Sequence, residues 1–425
     1  MTDIFAELTW RGLIHQTTDD ENLQKWLNDG QRTVYIGFDP TADSLHVGSM
    51  LQLMTLRRFQ QAGHKTLALI GGATGMIGDP SGKSDERKLL DEEALQKNVD
   101  GLRKQMTQFL DFEGDNPVQL VNNYEWMGKF GYLEFLRDVG KNFPVNVMMS
   151  KDSVKSRLNS DAGISYTEFS YMLLQAYDFV HLNQAHGCEL QVGGSDQWGN
   201  ITAGIDLGRR MHSVQLFGMT SPLLTKSDGS KMGKTESGAV WLAAERTSPY
   251  DFYQYWFRVD DEDAGKCLRF LTDLTKDDIE ALDAERESNP QERASQKALA
   301  ENLTRLVHGE AGLAIAERAK DIFFGGEISN ATDDQLSAIL GDVPSAEVER
   351  SQLDGEGIPI LDAFVTSGLS KSKGEARRTV QQGGAYINNR RCEDIDRRLI
   401  ADDLASETVM VLRSGKKKFA LLKFR

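Results

Sequence analysis

Cysteine is scarce in this chain of 425 residues, with Cys188, Cys267 and Cys392 the only three. They are widely spaced and odd in number. That fits neither a zinc cluster nor a disulfide framework, and points to a reducing cytoplasm. Long apolar runs are missing as well. No stretch approaches the roughly 18 apolar residues of a membrane span. Met1–Arg11 carries Asp3 and Glu7 without an apolar run, so no signal peptide is expected. No segment repeats. Basic charge is in deficit, with a net charge of −15 that argues against a nucleic-acid partner. The deficit is uneven, however. Ile358–Arg425 holds 14 Lys+Arg against 8 Asp+Glu, a balance of +6, which leaves 35 against 56 in the remainder. An acidic body with a basic tail is the asymmetry of a tethered RNA-binding module.

The length calls for two or three domains, and 40% hydrophobic content is that of a soluble globular protein. The chain is organised around Tyr35–Ser49. A strand over Thr33–Phe38 breaks at Asp39-Pro40, because proline cannot continue a ladder. A helical pattern then runs from about Leu45 to Ala62, where Gly63 stops it. A strand turning into a helix beside a glycine leaves free N–H groups at the helix start, a ready place for phosphate. His46 and Gly48 sit there. The apolar run Thr66–Ile70 reads as a second buried strand, so strand, helix and strand form a βαβ unit. Asp3–Asn28 reads as one amphipathic helix ahead of it.

Gly72, Gly75 and Gly78 follow the second strand without matching G-x-G-x-x-G, although Glu92 lies about 20 residues on, as a dinucleotide fingerprint wants. Gly78–Ser84 ends like a P-loop but has three residues between its glycines where four are needed. What remains is a glycine-lined sheet edge at the carboxyl ends of strands, where open α/β sheets bind ligands. Further on, Ile164–His181 is a helix. Tyr171, Gln175 and Asp178 form a polar stripe on it, apart from the apolar stripe of Phe169, Met172, Leu173, Ala176 and Val180. Cys188–Val192 is a strand that ends in Gly193-Gly194-Ser195-Asp196-Gln197. The Lys-, Gly- and Ser-rich loop Thr225–Ser237 carries Lys231 and Lys234, whose ammonium groups can swing onto a triphosphate. Helical periodicity dominates Ser248–Arg318, and Asp321–Gly357 has the look of a linker. Short helices near Ile360–Thr366 and Lys373–Gln382 and strands at Ala385–Asn388, Thr408–Leu412 and Phe419–Phe424 complete the tail.

His46-Val47-Gly48-Ser49 resembles the HIGH motif of class I aminoacyl-tRNA synthetases, and Lys231-Met232-Gly233-Lys234-Thr235 resembles their KMSKS loop. The whole chain is similar to the bacterial tyrosine branch of that family, nearly end to end. The resemblance implies a Rossmann-like doubly wound parallel sheet in an α/β catalytic domain over residues 1–235. Its insertion at about 124–159 would dimerise two subunits. A helical domain over 236–325, a linker over 326–357 and a small α+β RNA-binding domain over 358–425 would follow.

The implied reaction is attack by the carboxylate of L-tyrosine on the α-phosphorus of ATP, then transfer to tRNA. The nucleophile is already an anion, so catalysis is positioning plus stabilisation of phosphate charge. Thr41, His46, Lys83, Arg87, Lys231 and Lys234 match that role. Tyr35 and Asp178 match the residues holding the substrate phenol, and Asp79, Tyr171 and Gln175 those holding its ammonium group. Asp39, Asp196 and Gln197 match those around the ribose and adenylate carbonyl, with Gly48, Ser49 and Gly194 also on the nucleotide side. Mg²⁺ would accompany ATP and keep most of its waters. The sequence offers no dedicated metal cage and implies no tightly bound cofactor. Two positions depart from the pattern: Ser49 stands where many relatives carry histidine or asparagine, and Ile36 where some carry a ribose-touching cysteine. Ser367–Arg378 resembles a small RNA-binding module first seen in a ribosomal small-subunit protein, so Lys371, Lys373, Arg377 and Arg378 would contact phosphates. An NAD-dependent oxidoreductase and a catalytically silent RNA-binding relative are the rival readings.

Overall fold

The computed structural model describes residues 3–81, 91–159, 163–235, 238–329, 331–341 and 343–425. Two compact units emerge, residues 1–247 with 256–307, and residues 248–255 with 308–425.

The first unit opens with α1 (Ile4–Arg11), β1 (Gln16–Thr17) and α2 (Asp20–Asn28). The single helix expected over Asp3–Asn28 is therefore two. Gly12 ends the first at φ 75° with its N–H on the carbonyls of Leu8 and Thr9, and the Asp19 carboxylate caps the second. Then come β2 (Thr33–Phe38), α3 (Val47–Gln61), β3 (Lys65–Ile70), α4 (Thr74–Ile77), α5 (Glu92–Met106) and β4 (Gln119–Asn122). Short helices fill the insertion: α6 (Tyr124–Met127), α7 (Tyr132–Asp138), α8 (Val145–Met149) and α9 (Asp152–Leu158). The long α10 (Tyr166–His186) follows, with β5 (Leu190–Gly194), α11 (Trp198–His212), β6 (Phe217–Ser221) and the small pair β7 (Lys234–Thr235) and β8 (Gly238–Ala239).

The main sheet has the order β1-β6-β5-β2-β3-β4, with every neighbouring pair parallel except β1 with β6. Tyr35 on β2 stands between Leu67 of β3 and Gln191 of β5. The carboxyl ends of β2, β3 and β5 thus converge on one edge. β6 escaped the sequence reading because Phe217-Gly218-Met219-Thr220-Ser221 shows no alternation; all five residues are buried. Beyond α12 (Pro249–Phe257), the helices α13 (Asp261–Leu271), α14 (Lys276–Ser288) and the first half of α15 (Ala294–Phe323) complete this unit. α15 breaks at Gly309, whose φ of 70° and ψ of −179° are not helical.

In the second unit the stretch 326–357, expected as a linker, is folded. It holds α16 (Asp333–Leu340), whose Thr332 and Gln335 form a capping box, and β9 (Ser345–Val348). The remaining elements are β10 (Ile358–Pro359), α17 (Ile360–Thr366), α18 (Lys373–Gln381), β11 (Ala385–Ile387), β12 (Arg390–Cys392), β13 (Arg398–Leu399), β14 (Val409–Ser414) and β15 (Lys418–Phe424). β9 joins the tail sheet as a parallel edge strand beside β15, in the order β12-β11-β14-β15-β9. Leu336, Ile339 and Leu340 of α16 share a core with Ile322 of α15 and with Val409, Val411 and Phe419. Leu336, Ile339 and Leu340 do keep helical spacing, but a pattern of only 8 residues between stretches of Gly, Asp and Ser is too short to stand out as a helix in the sequence.

Candidate active site

β2 ends where Asp39-Pro40 leaves the ladder, and α5 pins the following turn. Asn98 Nδ2 donates to the Pro40 carbonyl at 2.9 Å, and Gln105 Oε1 accepts from the Leu45 N–H at 2.7 Å. His46 then caps α3 with its backbone, not its side chain. Its ring lies across Gly48, where an added Cβ would stand 2.9 Å from the imidazole. A side chain at 48 would therefore have to displace the ring. The lysine loop reaches the same turn: Gly233, at φ 82°, rests on Val47, and Val47 N donates to Val240 O at 2.9 Å.

Tyr35, Asp39, Thr41, His46, Gly48, Ser49, Asp79, Tyr171, Gln175, Asp178, Gly194, Asp196, Gln197 and Lys231 all line one cavity of about 690 Å³. Residues from five separate stretches of the sequence therefore meet at one cavity. His46, Thr41, Asp196 and Lys231 are exposed, whereas Tyr35 and Asp178 are 1% and 2% exposed at the closed end. Lys83 and Arg87 lie outside the described residues. Lys234 is placed by its backbone in β7, and its side chain is likewise outside the description.

The buried end is a continuous polar network. The Asp178 carboxylate accepts from Asn123 Nδ2 at 3.0 Å and from Trp126 Nε1 at 2.8 Å. Asn123 also donates to Thr74 Oγ1 at 3.0 Å, and Thr74 donates to Asp39 at 2.8 Å. The second oxygen of Asp39 accepts from Tyr171 Oη at 2.9 Å. Burial pushes the Asp178 carboxyl up to about 7 against the pull of its two donors. Burial, with the Asp178 charge behind it, also holds the Tyr35 phenol well above its ordinary range. Tyr35 Oη, Gln175 Oε1 and Gln191 Oε1 are buried without a hydrogen-bond partner among the described residues. Such groups in a cavity wall call for a polar ligand. Asp79 accepts from Gln197 Nε2 at 2.7 Å and from Ser81 N at 2.9 Å, which ties the two sides of the cavity together. Among the described residues no group of three or more His, Cys, Asp or Glu side chains is arranged to hold a metal ion.

Residues 27–325 match the family model for class I tRNA synthetases of the tryptophan and tyrosine type, and 335–422 match the C-terminal domain model of SYY-like tyrosine–tRNA ligases. This chain belongs to the class I tRNA synthetases. A tyrosine–tRNA ligase of Rhodopirellula baltica is 62% identical over 99% of this chain and 96% of its own length. That of Geobacillus stearothermophilus is 50% identical over 99% and 100%. A truncated mitochondrial tyrosyl-tRNA synthetase from Aspergillus nidulans superposes with a TM-score of 0.69 at 30% identity, covering 76% of this chain and 94% of that one.

Reading this synthetase by motif misses Thr74, Asn123 and Trp126, the groups that orient Asp178 and Asp39. Trp126 stacks on His181 with ring centroids 4.3 Å apart, which fixes its indole N–H on the carboxylate. No local pattern marks these residues; the carboxyl ends of β3 and β4 and the start of the insertion bring them to α10. Asp39, matched to the ribose side, has both carboxylate oxygens occupied by Thr74 and Tyr171. In the second unit Lys373, Arg377 and Arg378 project from α18 and are exposed, with Lys371 just before its Ser372 cap. Lys373 pairs with Asp362.

Proposed function

We infer that this synthetase activates L-tyrosine with ATP and transfers the tyrosyl group to the 3′-terminal adenosine of its tRNA. One observation carries the amino-acid choice: a buried carboxylate, Asp178, and a buried phenol without a partner among the described residues, Tyr35, both line the closed end of the cavity. The substrate phenol donates to Asp178 and accepts from Tyr35. Phenylalanine would leave both groups unpaired, which is where rejection arises. Asp79, Gln175 and Tyr171 hold the ammonium group, and the open Oε1 of Gln175 supports that placement. His46, Thr41, Lys231 and Lys234, with Lys83 and Arg87, act on the triphosphate by charge and position. Asp39, Gly48, Ser49, Gly194, Asp196 and Gln197 hold the nucleoside and adenylate. Mg²⁺ accompanies the triphosphate and keeps most of its waters.

The domain assignment follows: catalysis in residues 1–235 and RNA binding in the tail through Lys371, Lys373, Arg377 and Arg378. The insertion at 124–159 supplies a homodimer contact, supported by exposed Tyr132, Leu133, Val145, Val147 and Met149. No helix among the described residues is long and apolar enough to cross a membrane, and we place the protein in the cytoplasm with its substrates. Tyrosine-dependent ATP–pyrophosphate exchange tests the reading. Exchange is expected with tyrosine and not with phenylalanine; none with tyrosine would overturn it.

A further inference from the structure

The lysine loop is held from below by α13. Residues 225–231 form a tight hairpin: Thr225 bridges Lys231, Lys226 N donates to Ser230 O at 2.8 Å, and Met232 N donates to Leu224 O at 2.9 Å. Three side chains of α13 hold this hairpin. The Asp263 carboxylate accepts from Ser227 N at 3.2 Å. Lys266 Nζ, 3.8 Å from the same carboxylate, donates to the Thr225 carbonyl. Met232 Sδ lies 3.6 Å from the buried Cys267 Sγ.

Asp263 is only 2% exposed. A carboxylate buried so far is costly unless it is paired and hydrogen-bonded. The first turn of α13 favours negative charge, and Lys266 supplies the counter-charge. The bond to Ser227 satisfies that buried carboxylate and also reaches outside α13. Its effect falls on the hairpin, four residues before Lys231, and the Thr225–Lys231 bridge passes it to the lysine-bearing arm. That arm continues through Gly233 onto Val47, beside His46. We propose that Asp263 and Lys266 are positioning residues for tyrosine activation, which set where Lys231 and Lys234 stand relative to the His46 turn without touching substrate. The proposal rests on the reading of the loop lysines as phosphate-binding groups.

The test uses full-length Asp263→Asn and Lys266→Met. Asparagine keeps the acceptor for Ser227 but loses the charge. Both variants are expected to lower kcat for ATP–pyrophosphate exchange about tenfold, with the Kd for tyrosine within about twofold of wild type. The double variant should fall by less than the product of the single effects, because the two side chains act on one hairpin. Trypsin nicking after Lys226 in the ligand-free protein, followed by mass spectrometry, is expected to quicken several-fold in both. Unchanged kcat and unchanged nicking in Lys266→Met would overturn the proposal. So would parallel loss of kcat, tyrosine affinity and melting temperature in both variants, which would make the pair structural. Absence of exchange in the wild type would instead strike the functional reading, and nicking would still report on the anchor.

Discussion

Asp178→Asn probes the closed end of the pocket through two independent readouts. The wild-type carboxylate accepts from both Asn123 and Trp126. An amide offers one acceptor oxygen, so its NH₂ must face one of those donors. Leaving that buried donor unpaired costs about 1–3 kcal/mol. Ionisation acts in the other direction. The folded-state pKa of about 7 lies above the ordinary 3.8. Between about pH 4 and 7 the folded protein therefore holds a proton that the unfolded chain has released. Stability conferred by this group falls as pH rises through that window and levels off above it. About three pH units at roughly 1.4 kcal/mol each give up to ~4 kcal/mol. Asparagine has no such dependence. Urea unfolding at pH 5, 6, 7 and 8 should show the variant gaining on wild type up to pH 7, then running parallel. At pH 8, where the carboxylate is ionised, tyrosine binding should weaken about ten- to a hundredfold, as losing a hydrogen bond to a charged group costs about 1.5–3 kcal/mol. The kcat/KM ratio of tyrosine to phenylalanine should drop by the same factor, since phenylalanine never used that bond. Parallel stability curves across the whole pH range would refute the buried-carboxylate argument. An unchanged substrate ratio would remove Asp178 from phenol recognition.

Other outcomes follow from the same geometry. Lys234→Ala should slow adenylate formation strongly while equilibrium dialysis finds tyrosine affinity nearly unchanged. Gly48→Ala places a methyl 2.9 Å from the His46 ring; pyrophosphate exchange should lose about tenfold or more in kcat, with tyrosine binding intact. Arg157→Met breaks the bidentate pair with Glu168, whose side chains are 2% and 1% exposed, and calorimetry or urea unfolding should find about 3–5 kcal/mol of destabilisation. Removing residues 327–425 should spare exchange activity and weaken tRNA binding, and Arg377→Ala with Arg378→Ala should flatten its salt dependence by roughly one unit for each phosphate that is no longer neutralised. A cut before Ile358 should instead yield a protein that aggregates, because it strands the apolar faces of α16 and β9 without β14 and β15.

The candidate site was legible in the sequence where its chemistry is local. His46-x-Gly48 needs a strand-to-helix turn, and a proline, a polar turn and a helical period mark one. Tyr171, Gln175 and Asp178 declare a shared stripe through helical spacing, and Lys231 with Lys234 stands out by loop composition. Asn123 and Trp126 carry no such mark. They lie 55 and 52 residues from the carboxylate they serve, and nothing in their neighbourhood distinguishes them from any buried asparagine or tryptophan.

What the sequence by itself determined is the βαβ opening, the placing of the motifs on it, the helix that lends Tyr171, Gln175 and Asp178 to the cavity, and the basic tail. These follow from periodicity, turn chemistry and charge, all properties of residues a few positions apart. Only the tertiary structure decided that Gln16–Thr17 and Phe217–Ser221 are strands, that 326–357 is part of the tail fold, and that Asp39 answers to Thr74 and Tyr171. β9 has no pattern of its own and is a strand because β15 offers it a ladder. Asp178 is pushed up to about 7 because the chain folds it out of water, beside donors that pull its proton affinity back down but do not outweigh burial. Burial and long-range pairing are set by the whole chain's path, and no window along it contains them.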